Sequence, residues 1–300
     1  MSFKPLLAAT LEDADLKALE FPLYATPKID GIRCLLMESG ELQANQPRTR
    51  SLKDIQNRHI REKLAAKLPV GLDGEIWTHG ATCFGDVSSA VMKRTGTPDF
   101  TFYIFDWFNR PGTYLARTEE LRRHSMRWPE FCTVLAPIQM PSLKQLLKYE
   151  KAMLKQGYEG IMLRRGDGRY KHGRSTLNER ILMKLKRLTD GEAIVIGFEE
   201  QMHNENELEQ DNLGHAKRSS KKAGMKPAGT LGKLIVIDCV TRGEFGIGTG
   251  RGLTQELRAK IWGNKSHYMG QIVKYQHQTH GAKDAARIPI MLGFRSKEDM

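Results

Sequence analysis

The sequence lacks the features that are typical of zinc-binding, membrane-spanning and secreted proteins. Its four cysteines are too far apart to form a CxxC pair, and its histidines form no i,i+4 pair, so we assign no zinc site. No apolar run approaches the roughly 18 residues that span a bilayer. Acidic residues follow the N-terminus too closely for a secretory signal. We therefore expect a cytoplasmic protein with reduced thiols at Cys34, Cys83, Cys132 and Cys239.

Positive charge is in clear excess. The chain has 47 Lys and Arg against 35 Asp and Glu, a formal net charge of +12. Nine of the basic residues fall between Arg164 and Arg187, where the only acids are Asp167 and Glu179. Such clustering predicts a polyanionic partner such as a nucleic acid, because Lys and Arg that neutralise phosphates release counterions. Charge alone does not identify the kind of nucleic acid, and improved solubility is the alternative explanation.

The first part of the chain has a mixed helix and strand pattern. The expected strands are residues 32–37, 100–108, 158–164 and 181–186. Residues 51–68 have the apolar spacing of an amphipathic helix, and a second helix is expected to begin at Thr118. A third is capped by Ser142 and stopped by Gly157. This pattern predicts an α+β domain over residues 1–188.

The composition changes after Leu188, where residues 189–191 (TDG) indicate a turn. Short β-prone stretches follow at 192–198, 231–240 and 270–275, with a glycine-rich turn region at 243–252. They predict a small β-barrel domain over residues 189–300. It is interrupted near 201–228 by a polar stretch, acidic first and basic afterwards, which we interpret as a long mobile loop. The loop either touches DNA through its basic half or is a solvated insertion.

Six short segments place amines, carboxylates and guanidinium groups beside glycines and apolar strand residues. They are 28–33 (KIDGIR), 46–51 (QPRTRS), 72–76 (LDGEI), 102–106 (FYIFD), 158–164 (YEGIMLR) and 183–186 (MKLK). Each one alone has an ordinary explanation, as solvated lysines, an Asp-Gly turn or core aromatics. Their combination in this order is far more specific than any one of them.

The ordered set resembles the motifs of the covalent nucleotidyltransferase superfamily. Within it, the sequence is similar over essentially its whole length to the small ATP-dependent DNA ligases of bacteriophages and bacteria. The resemblance implies an α+β adenylation domain with antiparallel sheets, followed by a small all-β OB-fold domain. It also implies that the protein seals 3′-hydroxyl/5′-phosphate nicks in duplex DNA as a monomer, with ATP and Mg²⁺ (or Mn²⁺). The compartment would be the host cytoplasm if the protein is phage-encoded.

The residue types suit that chemistry. An amine attacks a phosphate only when it is unprotonated, and burial or nearby cations favour that form. Phosphoryl transfer further needs positioned positive charge around the phosphates, and carboxylates suit Mg²⁺. The resemblance implies that Lys28 is the adenylated nucleophile and that Asp30 assists the final joining step. It implies metal-binding carboxylates at Glu159 and Glu75, the latter contacting either the metal or the adenylate ribose.

The remaining roles are also implied by the resemblance. Phe105 would stack on adenine, with Met162 as the opposite wall. The phosphate contacts would come from Arg33, Arg50, Lys184 and Lys186. The C-terminal candidates for orienting pyrophosphate are Arg295 and Lys297, although a simple charged tail is the alternative there.

One position departs from the pattern of many relatives, which carry a glutamate two residues before the nucleophile. Here that residue is Thr26, so a backbone group would have to read the base, and the choice of ATP is open. The alternatives are therefore an RNA ligase or a GTP-using capping-type nucleotidyltransferase. A non-catalytic, OB-fold nucleic-acid-binding protein is a further alternative from a different functional class.

Overall fold

The computed structural model describes residues 3–39, 45–250, 252–278 and 285–295. The chain divides into two compact units. One comprises Met1–Lys186 with Asn212–Gly214, and the other comprises Arg187–Asp211 with His215–Met300. No helix in the described ranges has the length and apolar character needed to cross a membrane.

Within the described residues, the first unit contains a short 3₁₀ helix, Asp13–Ala18, four α-helices and ten strands. The helices are α1 Arg58–Lys67, α2 Phe84–Met92, α3 Tyr114–Ser125 and α4 Leu143–Lys155. The strands are β1 Ala9–Leu11, β2 Leu23–Pro27, β3 Ile32–Glu38, β4 Asn45–Thr49, β5 Leu72–Thr78, β6 Phe100–Trp107, β7 Cys132–Val134, β8 Ile138–Met140, β9 Ile161–Arg164 and β10 Met183–Leu185.

These strands form two five-stranded, mostly antiparallel sheets, in the orders β4-β3-β5-β6-β7 and β1-β10-β9-β2-β8. In the second sheet, Ile161 and Leu163 of β9 join an apolar core together with α4 residues such as Leu146. Because side chains alternate along a strand, the intervening Met162 and Arg164 project from the opposite face. That opposite face carries the polar residues described below. The α+β class expected from the sequence is confirmed.

The helix starts differ from the sequence expectations in two places. The first helix begins at Arg58 rather than near Ser51, because Asn57 caps it: its side chain accepts a hydrogen bond from the amide of Ile60 at 3.1 Å. Helix α3, which the sequence placed from Thr118 onward, begins at Tyr114 and is capped by Thr113. Apolar spacing extends beyond a helix into packed loop residues, so it does not locate the first helical residue. The Ser142 cap of α4 is confirmed.

In the part of the second unit that the structure describes there are seven strands, a 3₁₀ turn (Lys222–Gly224) and two helices, α5 Gln255–Gly263 and α6 Lys265–Tyr268. The strands are β11 Thr189–Asn204, β12 Leu208–Gln210, β13 Ala216–Arg218, β14 Met225–Asp238, β15 Glu244–Ile247, β16 Ile272–Gln278 and β17 Arg287–Phe294. Five of them form one sheet in the order β15-β14-β11-β16-β17. A parallel bridge between Thr249 and Ile290 joins the two edges of this sheet, which curls it toward a barrel.

Three turn or loop expectations in this unit were wrong. Residues 189–191 begin β11, and the glycine-rich region contains β15. The segment near 201–228 contains paired β-strands: β11 and β14 continue into it as an antiparallel pair, and β12 pairs with β13 as a hairpin. Polar composition suggested a loop there, but pairing of the two long strands satisfies the backbone groups without an apolar core.

Candidate active site

A cavity of about 220 Å³ in the first unit is lined by residues of both sheets. Eight of the residues singled out from the sequence lie on its wall: Thr26, Lys28, Arg33, Arg50, Glu75, Phe105, Met162 and Lys184. They come from segments up to 158 positions apart, so the fold brings the separate motifs to one place. Polar and apolar residues are mixed on the wall, as is typical of a site for a ligand with a charged and an aromatic part.

Lys28 follows the end of β2, where its side chain forms a hydrogen-bonded ion pair with Glu159. The lysine side chain is 21% exposed and the glutamate only 4%. A second amine, Nζ of Lys186, lies 3.6 Å from the other carboxylate oxygen of Glu159. One buried carboxylate therefore stands between two lysines, and the Lys28 amine is held at the cavity wall.

The backbone around Lys28 explains why the segments 28–33 and 158–164 each contain a glycine. The Lys28 amide donates to the carbonyl of Gly160 at 2.9 Å, and the Glu159 amide donates to the carbonyl of Lys28 at 3.2 Å. Gly160 has φ +152°, and a Cβ there would lie 2.3 Å from the carbonyl oxygen of Leu185. A Cβ on Gly31 would lie 2.2 Å from the carbonyl oxygen of Ile76. Side chains at these positions would force the strands apart and move the lysine.

Arg33 is fixed by a buried carboxylate. Its Nε and Nη2 atoms donate to the two oxygens of Asp73 at 2.8 and 2.6 Å, and Nη1 donates to the carbonyl of Leu6 at 2.7 Å. Asp73 is fully buried. The ion pair raises the pKa of Arg33 despite the opposing effect of burial. Arg50, by contrast, is an exposed residue at the cavity rim.

Glu75 and Lys184 on the wall have pKa values shifted toward their neutral forms. Burial raises the pKa of Glu75 to about 7, against the opposing effect of the nearby Lys28 and Arg33 cations. Burial also lowers the pKa of Lys184, and the positive charges of Lys186 and Lys28 lower it further. The cavity thus favours a less charged glutamate and a less charged lysine until a ligand supplies compensating charge.

The apolar part of the wall includes the ring of Phe105 and the thioether of Met162. Cationic groups flank the ring: the guanidinium carbon of Arg33 lies 5.6 Å from its centroid and that of Arg164 lies 5.8 Å away. Thr26 is buried and pairs with Met162 in the β2–β9 register. These residues can enclose a flat ring.

Arg164 is a wall residue that the sequence interpretation did not assign. It is buried and paired with Asp106, which is fully buried and also accepts a hydrogen bond from Nε of Arg117 at 2.7 Å. The two arginines lower the pKa of the Asp106 carboxyl against its burial. Strand alternation could have identified Arg164, because it lies two residues after Met162. The cavity residues Leu7, Ala8 and Arg174 carried no such local signal.

The other residues predicted from the sequence lie away from the cavity wall or beyond the described ranges. Asp30 is buried two positions after Lys28 but is absent from the wall. Arg295 belongs to the second unit, where its side chain pairs with Glu192. Lys297 lies outside the residues that the structure describes.

The donor set suits one kind of metal site only. Among the described residues, no group of three or more His, Cys, Asp and Glu side chains is arranged to hold a metal ion. Mg²⁺ does not need such a cage, because it binds through one or two carboxylates together with water and substrate phosphates. Glu159 and Glu75 supply carboxylates of this type, and the raised pKa of Glu75 reflects a setting that an added cation would relieve.

No protein-family model matches the chain. The DNA ligase of African swine fever virus (isolate Warthog/Namibia/Wart80/1980) is 24% identical over 181 residues, which is 57% of this chain and 43% of the relative. This chain therefore matches less than half the length of the curated relatives it resembles.

Solved structures match over almost the whole chain. A Chlorella virus DNA ligase-adenylate is 33% identical, with a TM-score of 0.56, and the match covers 98% of this chain and all of that one. A Lig E DNA ligase has a TM-score of 0.71 at 20% identity, covering 98% of this chain and all of that one, and shows similarity of fold. The identity and coverage of the first match, together with the ordered motifs on one cavity, establish that the chain belongs to the DNA ligase family of the covalent nucleotidyltransferase superfamily.

Proposed function

We propose that the protein is an ATP-dependent DNA ligase that joins a 3′-hydroxyl to a 5′-phosphate at a nick in duplex DNA. The observation that carries this proposal is the Lys28 amine, held by Glu159 at the wall of a cavity that also presents Arg33, Lys184 and an aromatic ring. An amine beside fixed cations and a ring suits a nucleotide whose α-phosphate is attacked in line.

In the first step, Lys28 releases a proton to solvent and its neutral Nζ attacks the α-phosphorus of ATP. A P–N bond forms, the bond to pyrophosphate breaks, and pyrophosphate leaves. The Arg33 guanidinium and the Lys184 amine lie on the same wall and would offset the charge on the phosphoryl oxygens. Phe105 and Met162 would hold adenine between them, and Thr26 would read its edge. A bound Mg²⁺, held by Glu75 and Glu159, would neutralise charge on the phosphates.

In the second step, the AMP passes from Lys28 to the 5′-phosphate of the nick, which breaks the P–N bond and forms a DNA-adenylate. In the third, the 3′-hydroxyl attacks that phosphate and AMP leaves. We assign Arg33 and Arg50 to contacts with the 5′-phosphate, Lys186 to the α-phosphate, and Asp30 to the joining step. Arg33 and Arg50 are supported by their position on the cavity wall, and Lys186 by its amine 3.6 Å from Glu159. Asp30 is supported by its buried place two positions after Lys28 in the chain.

We further propose that the first unit is an adenylation domain and the second an OB-fold domain. The curled five-stranded sheet with its edge-to-edge bridge supports the second assignment. Arg295 and Lys297 would then orient the leaving pyrophosphate. We propose that the protein acts as a monomer, and its four free cysteines suit the cytoplasm.

The test is nucleotide transfer to the protein. Wild-type protein incubated with ATP and Mg²⁺ should gain one AMP-sized adduct by intact-mass spectrometry, mapped to Lys28. Lys28→Ala should gain none, while Lys148→Ala, an exposed lysine of α4, should gain the adduct as wild type does. An adduct on Lys28→Ala would refute the nucleophile assignment. Replacing ATP with GTP, and a DNA nick with an RNA nick, tests the nucleotide and substrate.

A further inference from the structure

Arg33, a wall residue of the candidate active site, belongs to a closed ring of hydrogen bonds. Its guanidinium donates to Asp73 through two nitrogens and to the carbonyl of Leu6 through the third. The hydroxyl of Tyr170 donates to the same Asp73 carboxylate at 2.8 Å and accepts from the amide of Leu6 at 3.1 Å. The side chains of Arg33, Asp73 and Tyr170 and the backbone N–H and C=O of Leu6 therefore hold one another in place.

Two members of this hydrogen-bonded ring are fully shielded from solvent. Asp73 and Leu6 are fully buried. Aromatic contacts cover Tyr170: the rings of Phe108 and His172 lie 5.9 and 5.6 Å from it, centroid to centroid. In such surroundings a hydrogen bond to a charged carboxylate is stronger than in water, and leaving one of its partners unsatisfied is costly. Removing the tyrosine hydroxyl would therefore leave both the Asp73 oxygen and the Leu6 amide short of a partner.

The three contacts of the Arg33 side chain use three of its five N–H groups, which leaves two for a ligand in the cavity. The direction in which those two point is fixed by the plane of the guanidinium, and that plane is set by the Asp73 carboxylate. The carboxylate in turn has one oxygen shared between Arg33 and Tyr170. The tyrosine hydroxyl thus acts on the cavity through Asp73, although Tyr170 itself is not on the cavity wall.

We infer that Tyr170 is a positioning residue for Arg33: its hydroxyl, by orienting the Asp73 carboxylate, sets the geometry with which Arg33 meets the nucleotide phosphates. This inference rests on the proposed function for its role in catalysis. The coupling among Tyr170, Asp73 and Arg33 is a property of the fold and can be measured separately.

The test is a double-mutant cycle that combines Tyr170→Phe with Arg33→Ala. Tyr170→Phe keeps the aromatic side chain and removes only its hydroxyl. We expect Tyr170→Phe to lower the rate of AMP transfer at saturating ATP about tenfold, the effect of one lost hydrogen bond to a charged group, with little change in KM. In the Arg33→Ala background it should have no further effect. An equal loss in both backgrounds would show that the hydroxyl does not act through Arg33 and would overturn the inference.

Two control variants separate this role from general destabilisation. Tyr149→Phe removes a half-buried hydroxyl from α4, on the sheet face away from the cavity, and should keep the wild-type rate. Phe3→Leu loosens the N-terminal segment, since Phe3 packs 4.7 Å from Phe108 and 5.2 Å from His172, but it does not touch the hydrogen-bonded ring. It should also keep the rate. If Phe3→Leu reproduces the loss seen in Tyr170→Phe, the hydroxyl only anchors the segment and the inference fails.

A second measurement is independent of activity. Hydrogen exchange of the Leu6 amide should accelerate in Tyr170→Phe and in Arg33→Ala, and the double variant should exchange no faster than the faster single one. Additive acceleration would contradict a closed ring, whether or not the enzyme is active. Wild-type protein that forms no AMP adduct but shows the non-additive exchange would refute the proposed function and leave the coupling standing.

Discussion

At the scale of single residues, the cations of the candidate site are held by buried carboxylates before any ligand binds. Asp73 holds Arg33, and Asp106 holds Arg164 together with Arg117. Burying such pairs has a desolvation cost that their attraction only partly offsets, so they are weak evidence for stability. Their benefit is preorganisation: charge fixed in place need not be reorganised when a phosphate arrives.

Glu75 gives a prediction about pH at this scale. Its folded-state pKa of about 7 lies above the usual value of 4.5, so the folded protein binds a proton more tightly than the unfolded chain. The contribution of Glu75 to stability should then fall as pH rises from about 4.5 to about 7. Without nucleotide or metal, Glu75→Gln should remove this component and be more stable than wild type at pH 8, but not at pH 4.5. Chemical denaturation of both proteins at pH 4.5 and pH 8 measures this difference in stability.

The control for this measurement is Glu130→Gln, an exposed glutamate outside the helices and strands. It should follow the wild-type pH profile. A Glu75→Gln variant that gains no stability relative to wild type between the two pH values would show that ionised Glu75 is already well accommodated in the free protein.

At the scale of elements, helix starts are determined by specific side chains that tie them to neighbouring segments. Asn57 caps α1 and is fully buried. Its side-chain amide also donates to the carbonyl of Lys93 at 3.0 Å, close to the end of α2. The same residue thus begins one helix and holds the segment that follows another. Ser142, by comparison, caps α4 at a more exposed position and makes no such second link in the described contacts.

Replacing these two caps should therefore have unequal effects. A lost cap costs roughly 1 kcal/mol, and leaving buried partners unsatisfied costs about 1–3 kcal/mol more. We expect Asn57→Ala to lower the free energy of unfolding by about 2–4 kcal/mol and Ser142→Ala by about 1 kcal/mol. Urea denaturation followed by circular dichroism compares them directly. Equal losses would mean that the link from Asn57 to Lys93 adds nothing beyond capping.

At the scale of the whole molecule, the net charge of +12 predicts salt-sensitive binding to a polyanion. The hairpin region of the second unit and the turn after it expose four basic side chains: Lys217, Arg218, Lys221 and Lys222. Helix α4 of the first unit also exposes four lysines, Lys144, Lys148, Lys151 and Lys155, on the side of its sheet that faces away from the cavity. The two sets carry the same charge on different surfaces.

Changing each set to Gln separates local contact from net charge. If the hairpin set touches DNA, its loss should weaken binding to nicked duplex and reduce the salt slope by about one per lost phosphate contact, while AMP transfer survives. The α4 set should change affinity and slope much less. Fluorescence anisotropy over a range of KCl concentrations measures the affinity for the nick and its salt slope. Equal effects of the two sets would indicate that binding depends on net charge alone.

The sequence predicted more of the site than of the element boundaries. Strands with a strong apolar pattern, such as β3 and β6, were confirmed, because burial on a sheet leaves a local signature. The β-structure between Met202 and Met225 was missed, because solvent-facing strands paired only with each other need no apolar residues. Arg164 was left unassigned, because its charge was interpreted as that of an exposed strand residue, although its position two residues after Met162 places it on the same strand face.

By itself, the sequence indicated the family and eight of the residues that meet at one cavity, because the resemblance rests on residue type and spacing within short motifs such as 28–33 and 158–164. Only the tertiary structure decided how those residues are held. Asp73 lies 40 positions from Arg33, and Tyr170 lies 97 positions from Asp73. No local pattern links residues so far apart, since their contact arises from the packing of strands and loops distant in the chain.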